Sequence, residues 1–165
     1  VSAVPANLPD WKTIIVTSDI TERKLLETKL LESQRQYTLV FEKSTVPSIL
    51  LKLPEVIIVD ANEACETLTG FSKQEMLGKT AAELGIIKPE QRAHAISQFE
   101  KYGSLTGRET RAYTKHGEER IVVANTNRVM INGQPYAITT LLDITERKHA
   151  EEKLREKERL FKLFV

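Results

Sequence analysis

The amino-acid sequence predicts an α+β fold with an antiparallel sheet. Within residues 44–143, two strand-like runs come first, four helix signals follow, and three more strand-like runs close the region. Strands and helices that are grouped in this way, without alternating, favour an antiparallel sheet. A second observation concerns boundaries, because the hexapeptide Asp-Ile-Thr-Glu-Arg-Lys occurs at both 19–24 and 143–148. The repeat suggests equivalent positions in consecutive units of a tandem array.

The first elements of the central region are two strands and a helix. The runs 47–53 and 55–61 are rich in β-branched and aliphatic residues, and Pro54-Glu55 predicts a tight connection between them. A helix should then start at Asn62, whose side chain suits an N-cap, and end at Gly70.

Two capping patterns and a proline predict three further helices. Ser72–Glu75 and Thr80–Glu83 both have the spacing of a capping box, so a short helix is expected at each. Pro89 suits the first turn of a longer helix, which Gly103 should end.

The last third of the region predicts three strands joined by tight turns. Residues 103–107 are expected to form a loop before the first of these strands. Turn signals at His116-Gly117 and Asn132-Gly133 separate the strands, and the second signal is typical of a hairpin. The strands are expected at 107–115, 118–131 and 135–143.

Charged helices are expected on both sides of the central region, each with an apolar seam spaced 4, 3, 4, 3. The seams favour a parallel dimeric coiled coil over helices that pack on their own domain. In the downstream helix, the seam consists of Ala150, Leu154, Lys157, Phe161 and Phe164. In the upstream helix, it consists of Leu26, Leu30, Ser33, Tyr37 and Val40.

The repeated hexapeptide predicts how these parts are divided. Residues 12–18 look like a strand that precedes the first copy, as the strand at 135–142 precedes the second. We therefore expect the chain to be a fragment of a longer protein. Its predicted parts are the tail of a preceding module (1–24), a linker helix (25–43), one whole domain (44–143) and an exit helix (144–165).

Taken together, these motifs resemble those of a PAS domain, over residues 32–148. The resemblance lies in "ESQRQYTLVFEKSTVPSILL", "DANEACETLTGFSKQEMLGKTAAEL", "KHGEE" and "LLDITERKHAEEKL", which occur in the family's order. The first hairpin departs from the family in having Pro54-Glu55 where Asp-Gly is common. The resemblance implies a five-stranded antiparallel sheet with helices on one face, a small pocket, and a role as a sensor or docking module in a larger signalling protein.

The resemblance also brings two possible cofactors into question, flavin and haem, and neither is predicted for this chain. Flavin-binding LOV modules, which resemble this layout, have a reactive cysteine where this chain has Ala81, and Cys65 is expected to be a small core residue. Haem-binding PAS domains use a histidine on the long helix, where this chain has His94, which is expected instead to be a surface or boundary residue. His116 and His149 join no metal-ligand pattern, so no metal site is predicted.

Composition and motifs argue against several other functions. The net charge is +1, from 24 basic and 23 acidic residues, which gives no electrostatic case for nucleic acid or a membrane surface. No apolar run approaches the ~20 residues of a membrane span. Nucleophile-elbow, phosphate-loop and zinc-protease motifs are absent from the sequence, so the segment is expected to be non-catalytic. The single cysteine fits a reducing compartment such as the cytoplasm.

Two candidate sites remain. A ligand pocket is expected between the long helix and the sheet, lined by Ile96, Phe99, Tyr113, Asn125, Asn127 and Leu141. The alternative is that the two asparagines, which share a strand face with Val123 and Val129, point to solvent or to a dimer partner.

The second candidate site is a signal junction at Asp143, Thr145, Glu146 and Arg147. Asp143 and Thr145 carry oxygens that suit a helix start, and Asp143 and Glu146 have the spacing of a capping pair. Arg147 or Lys148 is expected to pair with an acid at the end of the strand.

The sequence therefore predicts a cytoplasmic PAS sensor or relay module, in a homodimer held by its flanking helices. The resemblance favours a histidine kinase as the whole protein. The alternatives are a ligand-free dimerisation or docking module, or part of a diguanylate cyclase. Expected partners are neighbouring PAS or kinase domains of the same chain and, in the sensor reading, a small molecule.

Overall fold

The structure is a computed structural model that describes the backbone of residues 10–165 and the side chains of residues 20–165. These residues divide into two compact units, 10–40 and 41–165. The first unit is made by helix α1 (Asp10–Tyr37) and the start of a π-helical turn, Thr38–Glu42. The side chains of residues 12–18 and all of residues 1–9 lie outside the described part.

The strand expected at 12–18 is wrong, because this segment is part of α1. An isolated strand leaves its backbone N–H and C=O groups unpaired, whereas a helix pairs them within itself. The helix thus satisfies the same backbone groups locally. The assignment of residues 1–24 to a preceding module stays a prediction.

The second unit contains the five-stranded antiparallel sheet, and the α+β prediction is confirmed. Its strands lie in the order β2-β1-β5-β4-β3. Their bounds are β1 Ser48–Lys52, β2 Ile57–Ala61, β3 Ser104–Tyr113, β4 Glu119–Ile131 and β5 Gln134–Asp143. The helices of this unit are α2 Glu63–Thr69, α3 Lys73–Met76, α4 Pro89–Tyr102 and α5 Thr145–Phe164.

The turn between β4 and β5 confirms the hairpin signal. Asn132 and Gly133 both have positive φ, 49° and 76°. A two-residue turn with this backbone matches the twist of its strands, and asparagine and glycine tolerate the left-handed region best. The pairing then runs without interruption from Ile131–Gln134 to Val122–Asp143, so β4 and β5 form a long central ribbon.

Two of the three predicted capped helices form as expected. Ser72 and Glu75 make a complete capping box at the start of α3. Helix α4 begins at Pro89 and ends at Gly103, whose φ of 74° and N–H bond to Phe99 close the last turn. These local signals succeed because each satisfies backbone groups that a helix end leaves free.

The helix predicted at Thr80–Glu83 does not form, because residues 81–85 make hydrogen-bonded turns and no helix. The reciprocal capping bonds do form, with Thr80 N–H donating to Glu83 Oε2 (2.7 Å) and Glu83 N–H donating to Thr80 Oγ1 (3.2 Å). Gly85, at φ 75°, reverses the chain immediately afterwards. One turn fixes several residues for few hydrogen bonds, so a helix stopped this early does not propagate.

The loop expected at 103–107 is also wrong in part. Strand β3 begins at Ser104, where Ser104 and Leu105 pair with β4, and the register shifts before Arg108. A bulge of this kind allows a strand to continue through small or polar residues that a strand pattern does not single out.

The core of the unit lies between the sheet and the helices. It is formed by Ile49, Ile58, Ala61, Cys65, Met76, Ile86, Ala112, Val122 and Leu141. Cys65 is completely buried, which confirms its prediction as a small core residue, and burial raises the pKa of its thiol to about 12. A thiol with so high a pKa is unreactive at neutral pH.

Candidate functional site

The first feature of the candidate site is a cavity of about 150 Å³ between the sheet and α4. Side chains of all five strands line it on one side, and α4 and the 81–87 segment line it on the other. Most of the wall is aliphatic, and three of its strand positions are alanines: Ala112, Ala124 and Ala137. Small side chains at these positions leave the space that larger ones would fill.

Three of the six predicted pocket residues line this cavity: Ile96, Phe99 and Leu141. Ile96 and Phe99 are three positions apart on α4 and so share a face of the helix. Whether a ligand occupies the cavity stays a prediction.

The other three predicted pocket residues lie elsewhere, and the expectation for them is wrong. Val122, Ala124 and Thr126 line the cavity, so Asn125 and Asn127 point to the opposite face of β4. Asn125 Oδ1 accepts from the N–H of Gly107 (2.7 Å), and Asn127 is exposed. Tyr113 is not part of the cavity wall, and its hydroxyl lies 3.4 Å from Glu119 Oε2.

The histidine considered for haem does not face the cavity. His94 is exposed on α4 and is not part of the cavity wall, whereas its neighbours Ala95 and Ile96 are. A residue adjacent on a helix is turned away by roughly 100°. The cavity is also smaller than the ~300–1,000 Å³ that is typical of sites for larger ligands. The residues present therefore do not fit a haem held by His94.

Among the lining residues that were not predicted from the sequence, four matter for what the cavity could bind. Arg92 and Ala95 come from α4, and Arg108 and Thr110 come from β3. The sequence did contain a signal for Arg108 and Thr110. They alternate with Ala112 along one strand, which places an arginine on the same face as a small residue.

The second feature is the junction between β5 and α5, where the backbone of β4 holds the first residues of the helix. Ile121 N–H donates to Thr145 Oγ1 (2.9 Å), and Ile144 N–H donates to the carbonyl of Ile121 (2.8 Å). Ile144 and Thr145 are both buried, at 4% and 9% exposure. The helix start is thus fixed to a strand that is not its neighbour in sequence.

Asp143 organises the other side of the junction. Its Oδ1 accepts from the N–H of Thr145 (2.9 Å) and from the Thr145 hydroxyl. Its Oδ2 lies 3.7 Å from Nη1 of Arg120, a residue of β4. The expectation that Asp143 accepts from the helix start is confirmed, whereas Thr145 caps no helix N–H and accepts from β4 instead.

The other junction residues do not interact with the partners that were predicted for them. Ile144 occupies the N-cap position and its side chain makes no capping bond, so Asp143 and Glu146 do not form the reciprocal capping pair that was expected. Arg147 pairs with Glu151 on its own helix (3.7 Å), and Lys148 pairs with Glu109 of β3 (3.0 Å). The pattern suggested contacts along the chain, but the sheet brings β3 and β4 closer to the helix start.

Neither a metal site nor a membrane span is apparent in the described residues. No three histidine, cysteine, aspartate or glutamate side chains converge there as metal ligands would. Within the same residues, none of the helices has the length and apolar character that crossing a bilayer requires.

Solved structures with this fold are numerous. The PAS domain of a protein from Colwellia psychrerythraea superposes with a TM-score of 0.58 at 24% identity, over 71% of this chain and 98% of that one. A PAS domain from a two-component sensor histidine kinase gives 0.59 at 16% identity, over 70% and 98%. An RNA-binding light-oxygen-voltage receptor gives 0.63 at 24% identity, over 81% of this chain and 39% of that one.

Sequence comparison agrees with these structural likenesses. No curated protein matches the chain significantly. The PAS domain family matches residues 46–146, which is more than half of the chain. The match covers every strand of the sheet, the whole cavity wall and the junction as far as Glu146, and the chain therefore belongs to the PAS domain family of sensory domains.

Proposed function

We propose that this chain is a sensor and relay segment of a larger, cytoplasmic signalling protein, most simply a histidine kinase. An event at the cavity changes the β4–β5 ribbon, and the junction passes that change to α5. The similarity to a PAS domain from a two-component sensor histidine kinase supports the choice of output but rests on fold alone.

One observation supports the relay most directly. Val122 lines the cavity, and the adjacent residue, Ile121, holds the start of α5 through both of its backbone polar groups. A displacement of β4 at the cavity therefore displaces the acceptor and the donor that position Ile144 and Thr145. Because the connection is one residue long, it requires no flexible linker.

The relay predicts that filling the cavity moves α5. Ala95→Leu places a larger side chain in the cavity, whereas Ala93→Leu makes the same change at an exposed position of the same helix. Spin labels at Glu156→Cys report the distance between the two exit helices of a dimer, and buried Cys65 should stay unlabelled. We expect Ala95→Leu to shift this distance by about 1–2 Å.

The Ala93→Leu variant serves as the control and should give the wild-type distance distribution. Identical distributions for all three proteins would argue against a relay from the cavity. Circular dichroism of each variant would establish that the fold is retained.

We also propose that the exit helices pair in a homodimer. The seam of α5 is exposed in the single chain, with Leu154 59% and Phe161 71% accessible. Exposed apolar residues at 4-3 spacing are what a second helix would bury. The upstream seam has the same character, since Leu26, Leu30 and Val40 are exposed as well.

The dimer predicts a large effect of seam charges. Leu154→Glu combined with Phe161→Glu should weaken dimerisation by more than about a hundredfold, because each buried apolar side chain contributes ~1.5–3 kcal/mol and the homodimer loses each of them twice. Sedimentation equilibrium measures the dissociation constant of the dimer. Leu163→Glu is the matched control, since Leu163 is 75% exposed but lies off the seam. A monomeric wild type, or equal effects of control and seam variants, would refute the arrangement.

The small size of the cavity favours a second candidate, a dimerisation and docking module that binds no ligand. About 150 Å³ lies below the usual range for small-molecule sites. The two candidates differ in one measurement, because a ligand-free module should show no saturable binding of small molecules at the cavity.

A further inference from the structure

The charge of the cavity wall is unbalanced. Among the described residues that line the cavity, two are arginines and none is acidic. The rest of the wall is largely aliphatic, with threonines at Thr110, Thr126 and Thr139. The hydroxyls of Thr126 and Thr139 lie 3.0 Å apart and satisfy each other. The arginines are therefore the groups that set the preferred charge of an occupant.

Arg108 is the arginine without an acidic partner. It projects from β3 on the same face as Thr110 and Ala112, and its Nη2 donates to the backbone carbonyl of Gln91 (3.0 Å). No acidic side chain of the described residues lies within ion-pair distance of it. Burial lowers the pKa of its guanidinium. A guanidinium has five N–H donors, and a neutral carbonyl compensates its charge only weakly.

Arg92 has a different role at the same cavity. Its Nη2 donates to the carbonyl of Glu55 in the β1–β2 turn (3.0 Å). The hydrogen bonds from Thr80 and, to a smaller extent, the charge of Arg92 lower the pKa of the Glu83 carboxyl. This arginine thus holds the turn against α4, and its positive charge has an acidic residue, Glu83, in its surroundings. Arg108 remains as the charge that an occupant of the cavity would neutralise.

Size limits the rest of the occupant. A cavity of about 150 Å³ lined by aliphatic and aromatic side chains accommodates a molecule about as large as benzene. An apolar body of that size, carrying one anionic group, matches both the wall and its charge. Among anions, a carboxylate has the planar, two-oxygen geometry that a guanidinium binds through parallel hydrogen bonds.

We propose that the cavity binds a small organic carboxylate, with the carboxylate on Arg108 and a compact apolar group among Ile96, Phe99 and Val122. The inference rests on the proposed sensor function for its signalling consequence, whereas binding itself is a property of this chain alone. It names the ligand class that the proposed sensor would detect.

The test uses benzoate as the probe and two-dimensional amide NMR as the readout. Benzoate should shift the amide signals of cavity residues on β3, β4 and α4 in a saturable way. Arg108→Gln should weaken benzoate binding by about tenfold or more, since it removes a charge-assisted pair. Benzyl alcohol, which has the same ring without the charge, should bind the wild type more weakly and be unaffected by Arg108→Gln.

Matched variants locate the site. Ala95→Leu should abolish benzoate binding by filling the cavity, whereas Ala93→Leu should bind benzoate like the wild type. The proposal is overturned if millimolar benzoate causes no saturable shifts, if Arg108→Gln binds it as tightly, or if Ala95→Leu leaves binding unchanged. Such a result would not touch the relay, because the spin-label distances of the Ala95→Leu and Ala93→Leu proteins test that without any ligand.

Discussion

Asn62→Ala should destabilise the domain by about 3 kcal/mol. Asn62 is fully buried, and its side chain connects the segment before β1 to the start of α2. Its Oδ1 accepts from the N–H groups of Ser48 (2.9 Å) and Cys65 (3.0 Å). Loss of the helix cap costs about 1 kcal/mol, and a buried backbone N–H left without its acceptor costs about 1–3 kcal/mol more.

The amide nitrogen of Asn62 adds to this cost. It donates to the backbone carbonyls of Phe41 (3.1 Å), Ser44 (3.4 Å) and Val46 (2.8 Å). One side chain thus holds together three carbonyls and two N–H groups. Urea unfolding followed by circular dichroism measures the change in the free energy of unfolding. The matched control is Asn127→Ala, an exposed asparagine whose replacement should change stability by less than about 0.5 kcal/mol.

A second substitution at the same position separates donors from acceptors. Asn62→Asp keeps an oxygen toward Ser48 and Cys65 but turns an oxygen toward the carbonyls of Phe41 and Val46. Their repulsion and burial would raise the folded-state pKa of the new carboxyl. The variant should therefore lose stability as pH rises through that pKa and recover part of it on acidification. Equal stability of Asn62→Ala and the wild type would contradict the role assigned to this residue.

Asn62 is predictable from the sequence as a helix cap but not as this connection. Capping depends on residue type and on the next few positions, which the chain displays directly. The partners at Phe41, Ser44 and Val46 become neighbours only after β1 and β2 have paired. Helix starts, turns and the order of strands were accessible for the same reason as the cap, whereas contacts made through the sheet were not.

The error at Asn125 and Asn127 has a related cause. Alternation along β4 defines two faces but does not say which one meets the helices. The face with the two amides was predicted to line the pocket, because buried polar groups need partners. The small residues Ala112 and Ala124 show that the other face forms the cavity wall. Arg108 was missed with them, since its importance depends on facing the same enclosed space.

Thr145→Val should weaken the attachment of α5 to the sheet, at a cost of about 2 kcal/mol. The Thr145 hydroxyl accepts from Ile121 N–H (2.9 Å) and donates to Asp143, and the residue is 9% exposed. Valine has nearly the same shape but no hydroxyl, so the N–H of Ile121 loses its acceptor in a partly buried place. An unsatisfied group of this kind costs about 1–3 kcal/mol.

Hydrogen exchange localises this effect. The amides of Ile121 and of the first turn of α5 should exchange faster in Thr145→Val, while those of β1 and β2 keep their wild-type rates relative to global stability. Thr145→Ser retains the hydroxyl and should restore protection at Ile121. A simple loss of packing predicts the reverse order, because serine lacks the methyl group that valine keeps.

The same variant tests whether the junction carries a signal or only stabilises the helix. If Ile121 and Thr145 transmit the strand movement, the distance change caused by Ala95→Leu should disappear in the Ala95→Leu/Thr145→Val protein and persist with Thr145→Ser. If Thr145 had only a structural role, Thr145→Val would shift the inter-helix distance equally with and without Ala95→Leu. The distance change caused by Ala95→Leu would then stay the same. Persistence of the full change in the valine protein would therefore place the route from the cavity to α5 outside this hydroxyl.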